Sequence, residues 1–396
     1  MKIKLIKSSF YKEKETKEKL CEFIKNAEIF SMNKECKKFE ENFSKKQRRK
    51  YSVYVSNGSC ANLLLIQAIM NIGKLKKGDK LFVSSLTWPT NIMPIIQLGL
   101  IPVLLDVEKD TLNVSSKILK EKYIDNPDVK GIFLTNALGF CSDIDEIQNY
   151  CGKKNLIFLE DNCESLGSEY KGKLLGNFGF ASTFSFFVGH HLSTIEGGMI
   201  CTDDKELYEN LKSARSHGWT RNNSDIFKEE KRRKHCIDSF YDIYTFYDLA
   251  YNFRPVEIQG FIGNQQINYW DEIVKKRENN FRKFYEATLN NEDIIKLNIQ
   301  GMNIISNFGF PLLFKNKKIF EDYKKIFEEN EIEIRPIIAG NLINQPFFRK
   351  NTNREDICFN TKEIHENGFY FGNNPEMNKE EINRITNLLR RVKQDA

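Results

Sequence analysis

The chain predicts an α/β protein: a mixed, mostly parallel sheet between helices, followed by a smaller C-terminal α/β domain. Two observations carry this. From about residue 50 to 205, short apolar runs alternate with amphipathic stretches, and strand–helix alternation of that kind builds mostly parallel sheets with helices on both faces. From about residue 206 the pattern turns helical, and the tail then repeats strand, helix, strand, helix. The expected division is a large domain over 1–264 and a small one over 265–396.

Taken in order, the apolar runs of strand length are Tyr51–Val55, Lys80–Ser84, Ile101–Val107, Val129–Thr135, Leu156–Glu160, Ser182–Phe186 and Met199–Thr202. Between them, helical spacing predicts helices over Ala61–Ile72, Asn91–Leu98, Ser116–Lys122 and Ile144–Cys151. Helices are expected next over Lys205–Ala214 and Val256–Thr288. The tail predicts a strand (Phe308–Phe314), a helix (Lys318–Asn330), a strand (Ile332–Pro336) and a last helix (Lys379–Val392). Ligands of such sheets bind outside the carboxyl ends of the strands, which singles out the residues after each run.

Composition narrows the function classes. The 396 residues carry 60 Lys+Arg against 54 Asp+Glu, a net charge of only +6. Basic and acidic residues are interleaved, as in Phe227–Lys234, which reads as a solvated face rather than a nucleic-acid footprint. No apolar run reaches the ~18 residues of a membrane span. The start, Met1 to Lys7, lacks the apolar core of a secretory signal. Nine scattered cysteines, with no Cys-x-x-Cys or Cys-x-Cys pair, predict free thiols in a reducing cytoplasm and no metal site.

Four strand ends carry the chemistry. After the first comes Ser56-Asn-Gly-Ser-Cys-Ala-Asn62, where a turn at Gly58 and Ser59 opens a helix and offers backbone N–H groups to a phosphate. Ser59 would equally serve as a plain helix cap. After the second, Trp88 precedes a proline on an irregular turn, free to stack on a flat heteroaromatic ring or to pack into the core. After the fifth, Glu160-Asp-Asn-Cys-Glu164 places a carboxylate where burial is costly without a cation, and a protonated pyridine nitrogen would serve. The sixth leads into Ser185-Phe-Phe-Val-Gly-His-His191 and then Glu196-Gly-Gly198; two adjacent histidines in a chain holding five point to a role.

These segments, in this order, resemble the DegT/StrS-type sugar aminotransferases, which act on nucleotide-linked ketosugars with pyridoxal phosphate. The likeness includes Phe39-Glu-Glu-Asn-Phe43, the Arg215-Ser-His-Gly218 turn and Tyr251-Asn-Phe-Arg-Pro-Val-Glu-Ile-Gln259, and runs over nearly the whole chain. It implies an aminotransferase-type (fold type I) large domain and a homodimer with shared active sites. It also implies roles. Gly58, Ser59 and Ser185 would hold the cofactor phosphate, joined by Asn252 from the partner subunit. Trp88 would stack on the ring, Asp161 would bind its nitrogen, and Glu164 would lie beside the ring or His190. His217, Arg221 and Arg335 are candidates for substrate or glutamate contacts.

One departure decides the expected chemistry. Five residues after Ser185, where the family's aminotransferases carry the lysine that binds the cofactor covalently, stands His190, and no lysine occurs between Lys173 and Lys205. His-His there resembles the family's 3-dehydratases, as does the Ala339-Gly-Asn-Leu342 core of the tail. The resemblance implies pyridoxamine phosphate held without a covalent bond, His190 as the base at its C4′, and His191 as a structural residue. It further implies loss of the 3-hydroxyl from a 4-keto-6-deoxy sugar, release of ammonia and renewal of the cofactor by L-glutamate. The iron–sulfur branch of these dehydratases uses a Cys-x-Cys pair that this chain lacks, so the glutamate-recycled branch and a GDP-linked substrate, hexose or heptose, are favoured, with CDP open. A 4-aminotransferase and a non-catalytic ligand-binding relative are the competing readings.

Overall fold

The computed structural model describes residues 2–352 and 356–390. Seven strands form the main sheet: Tyr51–Val55, Lys80–Ser84, Ile101–Leu105, Gly131–Thr135, Ile157–Asp161, Ala181–Ser185 and Gly198–Thr202. In space the order is 51–55, 198–202, 181–185, 157–161, 131–135, 80–84, 101–105. Neighbours pair in parallel except at the 198–202 strand, which is antiparallel to both of its partners. The sheet is therefore mixed and mostly parallel. Two expected strands end or begin two residues inside their apolar runs: the 101–105 strand stops before Val107, and the 131–135 strand starts after Val129.

Period-two alternation distributes the strand residues between two cores. Leu81, Val83, Phe133 and Leu159 pack with Leu64, Leu65 and Ile69 of the helix Gly58–Asn71. Their neighbours Phe82, Ile132, Leu134 and Phe158 pack with Phe281 and Phe284 of the helix Trp270–Thr288 and with the small C-terminal sheet. That sheet orders Gly309–Leu313, Gly368–Gly372 and Ile334–Pro336, all antiparallel. The central strands are thus buried on both faces, which is why they read as continuous apolar runs.

The long helix expected over Val256–Thr288 is two helices, Glu257–Gln266 and Trp270–Thr288, joined by a 3-10 turn at Ile267–Tyr269. The last helix spans Lys379–Leu389; the expected end at Val392 lies outside the described residues. Sequence periodicity missed Glu13–Asn26, Lys34–Gln47 and the strand Gly368–Gly372. The charged Asp225–Lys234 stretch is a helix with no buried residue, a solvated face as expected. Among the described residues no helix is long and apolar enough to cross a membrane, and no group of three or more His, Cys, Asp or Glu is placed to hold a metal.

The motif Phe39–Phe43 lies inside the helix Lys34–Gln47, with both phenylalanines fully buried. Glu40, between them, accepts the Tyr54 N–H at 2.8 Å and Arg215 Nη1 at 2.5 Å, while Arg215 also donates to the Tyr54 carbonyl at 2.6 Å. The Ser56 N–H donates to the Phe253 carbonyl at 3.0 Å. Three segments far apart in sequence therefore meet at the first strand, just before its functional turn. Removing one member of a buried ion pair leaves the other uncompensated, so Arg215→Leu is expected to destabilise the fold by about 3–5 kcal/mol. The double variant with Glu40→Leu should lose less than the single one, measured by urea denaturation.

Candidate active site

A cavity of about 770 Å³ opens at the carboxyl ends of the central strands. Gly58, Ser59, Trp88, Asp161, Glu164, Ser185, His190 and Arg335 all line it. His217, Arg221 and Asn252 do not; all three are exposed. His217 and Arg221 follow the buried Arg215 in a stretch where exposed side chains alternate with the buried Ser216, Gly218 and Thr220. Asn252 accepts a hydrogen bond from Arg254 Nε at 2.9 Å, two residues from its own position.

At one end of the cavity the helix Gly58–Asn71 begins. Its cap is Asn57, whose side chain accepts the Cys60 N–H at 2.8 Å, so Ser59 is not the capping residue. First-turn N–H groups of a helix lack intrahelical acceptors, which leaves those of Gly58 and Ser59 for an anion. Ser185 closes the same corner: a Cβ on Gly58 would lie 2.7 Å from Ser185 Cβ. Only glycine allows that approach. Backbone amides, a serine hydroxyl and the positive end of the helix dipole together fit a phosphate.

Asp161 is buried, with Oδ2 accepting from Asn62 at 2.9 Å and Asn91 at 3.1 Å and Oδ1 accepting the Cys163 N–H at 3.0 Å. Every one of these donors is neutral, and no ion pair to Asp161 occurs among the described residues. A buried carboxylate with neutral donors and a face on a cavity is suited to a cationic ring nitrogen. Trp88, 56% exposed, precedes Pro89 at the start of the helix Pro89–Gln97; the core alternative does not hold, and its indole is free to cover a ring. The neighbouring Glu160 is a different case. Fully buried, it accepts N–H groups from Gly176, Phe178 and Gly179 and the amide of Asn136, so its role is to fix the loop behind the site.

His190 packs between Phe308 and Phe187, with ring centroids 5.3 and 5.9 Å away. Its Nδ1 is buried without a hydrogen-bond partner. Burial lowers its pKa to about 4 and outweighs the opposing pull of the Ser185 backbone and the Asp161 charge, with the Arg277 charge adding a smaller push, so the imidazole is neutral at neutral pH. Arg277, itself buried, donates to the carbonyls of His190, Asn307 and Asn373 and anchors the loop from behind. His191 points the other way: fully buried, its Nε2 meets the Ser306 carbonyl at 2.5 Å, and burial holds its pKa well below the ordinary value. It is off the cavity wall, as a structural residue should be.

Glu164 reaches the cavity with Oε2 on the Leu138 N–H at 2.9 Å. Burial, reinforced by the Asp161 charge, raises its pKa to about 8. Arg335 stands on the C-terminal wall, paired with Glu333 at 2.5 Å. Sequence reasoning missed Asn62, Asn91, Arg277, Phe308 and Tyr370. Asn62 and Asn91 carried a signal, since each lies three residues beyond a singled-out residue, Ser59 or Trp88, at the start of a helix; the others sit in segments with no local motif.

A model described as the DegT/DnrJ/EryC1/StrS aminotransferase family matches residues 11–390. The GDP-4-keto-6-deoxy-D-mannose 3-dehydratase of Escherichia coli O55:H7 is 34% identical over 379 residues, covering 94% of this chain and 96% of the relative. The protein of the same name from Yersinia pseudotuberculosis is 35% identical over 383 residues, covering 93% and 94%. A solved structure of the E. coli GDP-4-keto-6-deoxy-D-mannose 3-dehydratase with bound hydrated pyridoxal phosphate aligns over 98% of this chain and 99% of that one, with a TM-score of 0.88 and 32% identity. The aminotransferase fold is therefore shared over nearly all of the chain, and this protein belongs to the DegT/DnrJ/EryC1/StrS aminotransferase family.

Proposed function

We propose that the protein is a pyridoxamine phosphate-dependent 3-dehydratase of a GDP-linked 4-keto-6-deoxy sugar, releasing ammonia and renewed by L-glutamate. One observation carries this reading: His190 occupies the position of the cofactor-binding lysine, and among the described residues no lysine lines the cavity. The similarity to two GDP-4-keto-6-deoxy-D-mannose 3-dehydratases supports the substrate.

When bound, the cofactor supplies an amine that joins the sugar's 4-ketone and a ring that accepts electrons. The chain's residues do the rest. Gly58 and Ser59 N–H groups and the Ser185 hydroxyl hold the phosphate, and Trp88 covers the ring. Asp161 keeps the ring nitrogen protonated, because charge on that nitrogen relieves its own burial. The neutral imidazole of His190 takes the proton at C4′. Position 190 carries no amine to return that proton to the sugar carbon as an aminotransferase lysine does.

The chain is proposed to act as a homodimer in the cytoplasm, where nucleotide sugars and glutamate meet. Asn252 of the partner subunit would reach the cofactor phosphate. Support comes from the segment 240–249, which leaves Phe240, Tyr241, Ile243, Tyr244 and Leu249 more than half exposed, an apolar surface suited to burial against a second copy. Residues 265–396 are proposed as the smaller domain, supported by their own three-stranded sheet.

Borohydride treatment of the aldehyde-loaded enzyme, followed by digestion and mass analysis, is expected to yield no phosphopyridoxyl-lysine; one such peptide from the cavity would refute non-covalent binding. His190→Asn is expected to bind pyridoxamine phosphate yet lose turnover of the GDP-ketosugar by about 10²-fold or more. His191→Asn, read beside it, should lose catalysis far less at equal folded concentration. The base works when neutral, so with its pKa lowered to about 4 the wild-type rate should hold as pH falls past the ordinary imidazole value of 6.5 and drop only near 4. An acid limb at 6.5 would show that His190 is not the desolvated base.

A further inference from the structure

Loss of a hydroxyl as water needs two protonic partners, a base for the proton removed and an acid for the oxygen that leaves. His190 answers for the first only. We propose that Glu164 is the acid of this site, donating the proton that turns the departing 3-hydroxyl into water; this rests on the 3-dehydratase reading above.

The geometry singles out this carboxyl. Glu164 and His190 line one cavity. Oε2 of Glu164 is held by a single neutral donor, the Leu138 N–H, and no salt bridge to Glu164 occurs among the described residues. That donor is aimed by an unusual backbone. Leu138, fully buried, adopts a left-handed conformation (φ 49°) that a leucine rarely takes, in a tight turn ending at Gly139. Strain of this kind persists where the surroundings enforce it, and it clusters at functional sites. Here it fixes one carboxyl oxygen, and among the described residues no hydrogen bond to Oε1 occurs.

The neighbours agree with a protonated carboxyl. From the 157–161 strand end, Asp161 and Cys163 face the same space; from the loop after Ser185 come His190 and Glu196; from the C-terminal sheet come Glu333, Arg335 and Tyr370. Of these, Arg335 is the standing cation, and it is already paired with Glu333. Burial and the Asp161 charge raise Glu164 to about 8, whereas His190 lies near 4. At neutral pH the cavity therefore holds a neutral base and a neutral acid together, and environments that push two groups apart in this way assign their roles.

The step balances. With the cofactor–sugar adduct bound, His190 would take the proton as the C4′–H bond breaks, and the electron pair left behind would pass through the conjugated group to the C3–O bond. That bond would break as the leaving oxygen takes the Glu164 proton to become water. C4′ is oxidised and the sugar C3 reduced, with glutamate resetting the first; His190 returns its proton to Glu164 through solvent.

Two measurements on the wild type and one variant test this. With the hydroxyl substrate, the wild-type rate should fall as pH rises through about 8, because the acid works only while protonated. With the 3-deoxy-3-fluoro analogue that limb should vanish, since fluoride departs without needing a proton. E164Q should still bind pyridoxamine phosphate, lose about 10²–10⁴-fold on the hydroxyl substrate and lose under about tenfold on the fluoro analogue. Infrared difference spectra of cofactor-free wild type against E164Q should show a carboxylic-acid carbonyl band that disappears through the same pH range. Equal losses on the two substrates, or a wild-type alkaline limb shared by both, would overturn the assignment. Absence of any 3-deoxy product from the wild type would instead overturn the function, and the infrared band would then judge the protonation of Glu164 by itself.

Discussion

A carboxylate buried at the end of a central strand sets the plan of this protein. Asp161 is held by two side-chain amides and one backbone N–H, and faces the cavity with its charge uncompensated by any cation of its own. Desolvating such a group is costly, and the arrangement makes sense as half of a pair whose other half is the ligand. The strand order supplies the rest. Parallel pairing of the 131–135, 157–161 and 181–185 strands brings Asp161 and Ser185 to one edge, and the helix Gly58–Asn71 crosses that edge with Asn62 directed at the carboxylate.

The replacement of lysine by histidine at position 190 matters through its surroundings. An imidazole in water is partly protonated near neutrality, and that protonated fraction cannot accept a proton. Here the aromatic contacts to Phe187 and Phe308, and Arg277 behind the loop, keep it neutral. The same burial acts in the opposite sense on Glu164, which keeps its proton. One physical cause, exclusion of water, therefore moves a base and a carboxyl in the directions that a proton-transfer site needs.

The outer frame serves this cavity from a distance. The Arg215–Glu40 pair binds the helix Lys34–Gln47, the first strand and the 215–218 turn into one unit, so the start of the helix Gly58–Asn71 has a fixed position. The 240–249 segment follows from that unit and leaves its apolar side chains at the surface, beside the residues expected to serve a second copy.

Much of this was written in the sequence. Short apolar runs and turn residues are local signals, so the strand ends, the Gly58–Ser59 turn, Asp161, Trp88, Ser185 and the position of His190 could all be read directly. Contacts made between distant segments could not. Arg277 reads as one more charged residue of a helix, Phe308 and Tyr370 have no motif, and the helices over 13–26 and 34–47 carry too many charges to stand out. His217 and Arg221 follow a motif that does reach the first strand, yet both are exposed and neither lines the cavity. The split between His190 and Glu164 was equally invisible, because a pKa is moved by burial and by neighbouring charge, and only the folded chain decides what surrounds a residue. The sequence determined which chemical groups are available at each strand end; tertiary packing decided which of them lose water, and desolvation is what turns those groups into a base, an acid and a cation site.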